Sequence, residues 1–285
     1  MKKLGYFFFC FLPVLASIGL QFAATFPVLG ITAMQYAFSN LLSGQKMPYS
    51  EFAMYLTSVS VSQTFLMTVS IVYASFGILI FGFWYYRQFH GSLRFPMQKF
   101  TKPGLILGLI LLIPALQVIS SVLTTFSAAI FPGAMDFYES LMESTGFTNS
   151  PSILLILYAV FLGPIAEELT FRGVTLSSAK KALPFWAANL FQAILFGIFH
   201  MNLIQGIYAF FIGLCLGFVC EKCGSIWLSV FLHILFNAWG TFAPAEIYSI
   251  PLFILFILLG ILGMYLFHKN TSVRSVKNFT DISDI

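Results

Sequence analysis

Residues 152–176 read SILLILYAVFLGPIAEELTFRGVTL. The stretch is long and apolar enough to cross a bilayer, which takes about 20 residues of helix. Its second half nevertheless carries Glu167, Glu168 and Arg172. Ionisable groups in hydrocarbon are costly and are functional candidates by default. This one segment therefore suggests both the fold class, a membrane-spanning helix bundle, and where its chemistry lies.

The rest of the chain agrees. Of 285 residues, 59% are hydrophobic and 8% charged, with 35 phenylalanines. Soluble domains carry about 25% charged residues, so too few are present here to cover a water-facing surface. Lipid removes that requirement. A net charge of +4, spread over loops, implies no nucleic-acid surface. The four cysteines suggest no disulfide framework. Cys220 and Cys223 form a single C-x-x-C, without the second pair that a structural zinc site needs. Lys2 and Lys3 imitate a signal peptide, but the uncharged run from Leu4 to Phe38 far exceeds a signal core of about 7–15 residues. A retained first membrane helix is expected.

Charged and Pro/Gly-rich stretches divide the chain into about eight apolar spans, near 4–37, 57–86, 104–131, 152–176, 184–202, 204–220, 226–241 and 251–268. The fold class expected is an all-α polytopic transmembrane bundle. Residues 1–150 supply N-terminal membrane helices, 151–268 the transmembrane core that carries the ionisable groups, and 269–285 a polar tail. Loop charges alternate. Arg87, Arg94, Lys99 and Lys102 mark one loop, Lys180 and Lys181 another, and Lys269, Arg274 and Lys277 the tail. Between them, 132–151 carries Asp136, Glu139 and Glu143, and 242–250 carries Glu246. The positive-inside rule then sets a multi-pass cell-membrane protein with both termini cytoplasmic.

Inside the spans stand Glu167, Glu168, Arg172, His200, His233 and Asn237. His90 and His268 fall at span edges. Glu168 and Arg172 are i and i+4 with the acid first, the favoured order for a helix ion pair. Glu167 is turned about 100° from Glu168. His233 and Asn237 share a face one turn apart, as do Phe196 and His200. Counted at about 1.5 Å per residue, Glu167 lies ~20 Å from Lys180, His200 ~24 Å past Pro184, and His233 and Asn237 ~12 and ~18 Å past Ser225. All reach the membrane interior. Peptide hydrolysis needs a base for water and donors for the oxyanion. A Glu and His can serve the first need, a His and Asn the second. Glu167, His200 and His233 are also types that ligate zinc. The H-E-x-x-H arrangement is absent. Taken singly, each group has a plain structural reading as an interhelical hydrogen-bond partner.

The combination resembles the CPBP intramembrane proteases, also called the Abi or CAAX-protease family. Its E-E-x-x-x-R motif matches Glu167-Glu168-Leu-Thr-Phe-Arg172. F-x-x-x-H matches Phe196-Gly-Ile-Phe-His200, and H-x-x-x-N matches His233-Ile-Leu-Phe-Asn237. The motifs occur in family order over about 150–241. The resemblance implies that Glu167 and His200 activate water and that His233 and Asn237 form the oxyanion site. Glu168 and Arg172 then orient and neutralise, with Phe196 supporting. It implies a membrane-embedded or membrane-associated peptide or protein substrate. It leaves open a divalent metal, zinc, on Glu167, His200 and His233, or a metal-free mechanism. Family members trim prenylated C-termini or act in bacteriocin immunity and peptide maturation. Competing readings are a non-catalytic immunity or scaffold protein of the same family, and a transporter.

Overall fold

A computed structural model describes residues 2–89, 96–147, 151–244, 247 and 249–271. His90, Arg94, Glu246 and the tail from 272, with Arg274 and Lys277, lie outside the described residues. The described chain is helical and contains no strand. Its elements are α1 (Lys2–Phe9), α2 (Leu12–Leu42), α3 (Tyr49–Ser60), α4 (Gln63–Phe89), α5 (Met97–Phe100), α6 (Pro103–Ile130) and α7 (Pro132–Thr145). After them come α8 (Ile153–Ala179), α9 (Phe185–Phe199), α10 (Leu203–Cys223), α11 (Ile226–Phe242) and α12 (Ile250–Asn270).

By length and composition, six described helical segments are long and apolar enough to cross a membrane. These are Gly5–Leu42, α4, α6, α8, α10 and α12. The two shorter apolar helices, α9 and α11, have 15 and 17 residues. At about 1.5 Å per residue they are shorter than a ~30 Å hydrocarbon core. A helix that short can end at depth, and His200 is the C-cap of α9.

Two expectations are corrected. The second span was placed at 57–86, but α4 begins at Gln63. Residues 57–62 are the polar run TSVSVS, and the Ser62 hydroxyl accepts from the Phe65 amide at 3.3 Å, which starts a new helix. Residues 49–60 form α3 instead. The acidic loop 132–151 also contains a helix, α7. It opens on Pro132 and is closed by Gly146 in the left-handed region (φ 85°). The long first span breaks at Cys10–Phe11 into α1 and α2.

Polarity is inverted relative to a soluble protein. Phe22, Phe26 and Leu41 are 71, 73 and 76% exposed, whereas Gln117, Asn189, Gln192, Glu168 and Arg172 are buried. Apolar side chains thus face lipid and polar groups face neighbouring helices. One apolar core joins α6, α10, α11 and α12 around Leu109, Leu216, Leu232 and Phe267. A second joins α2, α4, α8 and α9 around Tyr73, Ala166, Phe171 and Phe196. α6 and α12 approach to backbone contact. A Cβ on Gly108 would meet the Phe267 nitrogen at 2.8 Å, and one on Gly263 the Gly108 oxygen at 2.8 Å. α9 and α10 cross as closely, since a Cβ on Gly197 would lie 2.6 Å from the Gly206 carbonyl.

Candidate active site

α8 is not a uniform helix. Leu157–Leu162 and Leu169–Leu176 take π geometry, and Gly163–Glu168 between them is α-helical. Such single-turn widenings recur at functional sites. The first has a local consequence. Gly163 N–H donates to the Tyr158 carbonyl, an i→i+5 bond. The next bond of that kind, to the Ala159 carbonyl, would come from Pro164, which has no N–H. Asn237 of α11 supplies the missing donor, with Nδ2 to Ala159 O at 2.8 Å. Asn237 therefore ties α11 to α8 as well as standing one turn from His233.

Glu168 and Arg172 form the ion pair that their spacing suggests. Arg172 Nη1 lies 2.8 Å from Glu168 Oε1, with both side chains fully buried. Arg172 Nη2 donates to the Gly213 carbonyl of α10 at 3.2 Å. The guanidinium carbon stands 4.5 Å from the centroid of the Phe196 ring, a cation–π contact from α8 to α9. Glu168 Oε1 also meets His233 Nδ1 at 2.9 Å. The other ring nitrogen, His233 Nε2, lies 3.7 Å from Glu167 Oε2. The two carboxylates, though turned apart on α8, thus address the two nitrogens of one imidazole. An imidazole presents those nitrogens on different edges, so both directions can be used.

His200 enters differently. Phe196 packs against both imidazoles, with ring centroids 5.0 Å from His200 and 5.9 Å from His233. Among the described residues the ion-pair contact of Glu167 is with His233, not His200. The α9–α10 turn holds His200 in place. Met201 sits at φ 57°, a left-handed conformation uncommon outside glycine. Asn202 Oδ1 caps α10 at Gln205 N (2.8 Å), and Asn202 Nδ2 donates to the His200 carbonyl at 3.2 Å. Tyr73, Tyr158 and Tyr208 share the surrounding cluster and lie within electrostatic reach of Glu167. An apolar cleft of about 130 Å³ opens between α4, α8 and α11, lined by Ile165 and Leu169 on either side of the glutamates in sequence.

Glu167, Glu168, Arg172, Phe196 and His233 thus form one connected cluster. Asn237 and His200 are attached to it through Ala159 and Phe196. The sequence reading, centred on ionisable groups, passed over three buried amides. Asn189 Nδ2 donates to Leu214 O at 3.0 Å and Gln192 Nε2 to Gly213 O at 3.0 Å, locking α9 to α10. Gln117 Nε2 donates to Phe236 O at 2.6 Å, joining α6 to α11. Their signal was an amide within an apolar run. Among the described residues no group of three or more His, Cys, Asp or Glu is placed to hold a metal ion. Glu167 and His233 Nε2 could offer two donors, with the other ring nitrogen of His233 held by Glu168, the usual partner of a histidine that ligates through Nε2. Cys220 and Cys223 are free thiols near the end of α10, where Lys99 Nζ meets the Cys223 carbonyl.

Fold and site together define a polytopic α-helical membrane protein with a buried carboxylate–guanidinium–imidazole cluster. Residues 149–239 match the family described as Type II CAAX prenyl endopeptidase Rce1-like. A relative in Bacillus subtilis (strain 168), named "Putative membrane peptidase YdiL", is 28% identical over 93 residues. That match covers 33% of this chain and 38% of the relative. No solved structure matches. With the three motifs, these matches support the CPBP, or CAAX-protease, family, and their descriptions suggest a membrane peptidase.

Proposed function

We propose that this chain is an intramembrane endopeptidase that hydrolyses a peptide bond of a membrane-associated substrate. The observation that carries the reading is the placement of Glu167 Oε2 3.7 Å from His233 Nε2, with His233 Nδ1 held by the Glu168–Arg172 pair. That separation exceeds a direct hydrogen bond and suits a bridging water. Glu167 takes a proton from the water as its oxygen attacks the peptide carbonyl. His233 Nε2–H then donates to the oxyanion of the tetrahedral intermediate, and Glu168 holds the ring by Nδ1–H. Asn237 has given one amide hydrogen to Ala159 and has a second for the oxyanion. Glu167 returns its proton to the leaving amine. His200 packs on the same Phe196 ring as His233 and lines the site from the end of α9. No step is routed through a metal.

The substrate class follows the family description: a peptide with a prenylated cysteine near its C-terminus. The test is cleavage of such a fluorogenic peptide by the purified protein in H2 18O, with mass spectrometry of the products. Hydrolysis by free water leaves one 18O in the new carboxylate, at a rate that a chelator does not change. A chelator-sensitive rate, restored by zinc, would overturn the metal-free mechanism. Failure to cleave this peptide or any other membrane-associated peptide would overturn the peptidase reading.

A further inference from the structure

Among the described residues, seven buried side-chain nitrogen or oxygen atoms have no hydrogen-bond partner within the protein. Five belong to one region: Glu168 Oε2, Arg172 Nε, Thr175 Oγ1, Ser178 Oγ and Gln192 Oε1. Ser229 Oγ stands beside the Glu168 carboxylate, and its hydroxyl also lies 2.9 Å from the Ile226 carbonyl. A buried polar atom without a partner costs about 1–3 kcal/mol, so a concentration of five calls for an explanation.

The region is a seam between α8 and α10. Arg172 Nη2 meets the Gly213 carbonyl, and Lys180 Nζ meets Glu221 Oε2. Each pair spans 41 residues of sequence, so the two helices run parallel in a fixed register. The anchors lie about 12 Å apart along the helices. Arg172 is fully buried, whereas Lys180 and Glu221 are 29 and 28% exposed, so the seam leads from the catalytic cluster to the protein surface. Thr175 and Ser178, both fully buried, stand on α8 between the anchors. Hydroxyls in membrane helices usually bond to their own helix at i−4. Thr170 does so, donating to the Ala166 carbonyl at 2.8 Å, but Thr175 and Ser178 do not. On α10, Cys220 packs against the cluster that holds Leu169 and Val174 of α8, whereas Gly217 faces α9, where a Cβ would lie 1.9 Å from Asn189 Oδ1.

We propose that this seam binds a file of internal waters that runs from the Lys180–Glu221 surface to the Glu168–Arg172 pair. Arg172 Nε donates to these waters, Gln192 Oε1 accepts from them, and the two hydroxyls do either. Buried waters make about three hydrogen bonds each to polar groups that would otherwise be unsatisfied. Hydrolysis in the bilayer consumes water, and the file delivers it from one membrane face. Delivery rests on the peptidase reading; the hydration itself does not.

The two are tested separately, in the full chain in micelles. Hydroxyl radicals made by pulsed X-rays in H2 18O oxidise buried side chains that lie beside bound water. Cys220 is partly exposed, so its labelling is compared between the unaltered chain and the isosteric variant Thr175→Val/Ser178→Ala, with Met67, a buried side chain at 4% exposure, as the reference. In the variant, Cys220 labelling should fall while that of Met67 stays the same. Equal Cys220 labelling in the two chains would overturn the hydration. For delivery, the double variant should lose turnover about ten-fold, the rate equivalent of one hydrogen bond, with KM unchanged. Unchanged turnover together with lost labelling would overturn the delivery role and leave the peptidase reading intact. Labelling in a chain that cleaves no peptide would fail the peptidase reading and leave the hydration standing. Should the double variant not fold, Ser178→Ala alone is read in the same two assays.

Discussion

At the scale of single residues, the connected cluster rests on side chains that each meet two partners. Glu168 Oε1 serves both Arg172 and His233, and Asn237 serves Ala159 while standing beside the site. The second case makes a sharp prediction. Asn237→Ala leaves the Ala159 carbonyl unpaired in the membrane interior and should cost about 1–3 kcal/mol of stability. Pro164→Ala restores a backbone N–H five residues after Ala159. In the double variant the cost of losing Asn237 should be smaller, which a double-mutant cycle on unfolding free energies measures. Additive losses would mean that Asn237 does not substitute for the proline's missing donor. The spacing of Glu168 and Arg172 was legible, because i,i+4 has one meaning on a helix. Which imidazole meets Glu167 was not, because that depends on how α9 and α11 pack and not on position within either. The role of Asn237 at Ala159 could have been read from Pro164, but only once π geometry was known.

At the scale of elements, apolar runs located the membrane helices well, because a lipid-facing segment must be apolar along its whole length. Elements that need not face lipid were missed. α3 and α7 are short, at 12 and 14 residues, and mix polar with apolar positions, so no long apolar run marks them. The α6–α12 contact was equally hidden, since glycine in an apolar helix announces close packing without naming its partner. Gly263→Val places a side chain where the Gly108 carbonyl and the Leu112 nitrogen lie 2.8 and 3.0 Å from a Cβ. The helices must separate, and overpacking of this kind costs about 1–3 kcal/mol. A fall in thermal midpoint in detergent is expected, with Gly30→Val, where nothing lies within 4 Å, as the neutral control. Equal midpoints for the two variants would show that α6 and α12 do not touch here.

At the scale of the whole molecule, loop charge predicts an orientation that the helices alone do not specify. α7, with Asp136, Glu139 and Glu143 exposed, should lie outside, and the basic loop at Lys102 inside. In intact cells, Ser140→Cys should react with an impermeant maleimide, and Lys102→Cys only after permeabilisation. Labelling of both from outside would break the proposed topology. The account as a whole turns on Glu167, the carboxylate that faces His233 without being consumed by the Glu168–Arg172 ion pair. Glu167→Gln keeps its shape and removes its basicity. The decisive measurement is turnover of a cleaved peptide beside the thermal midpoint, in purified wild type and Glu167→Gln. The account predicts loss of cleavage with the midpoint nearly unchanged. Retained cleavage, or a midpoint loss as large as that of Arg172→Ala, would contradict it and make Glu167 a structural residue.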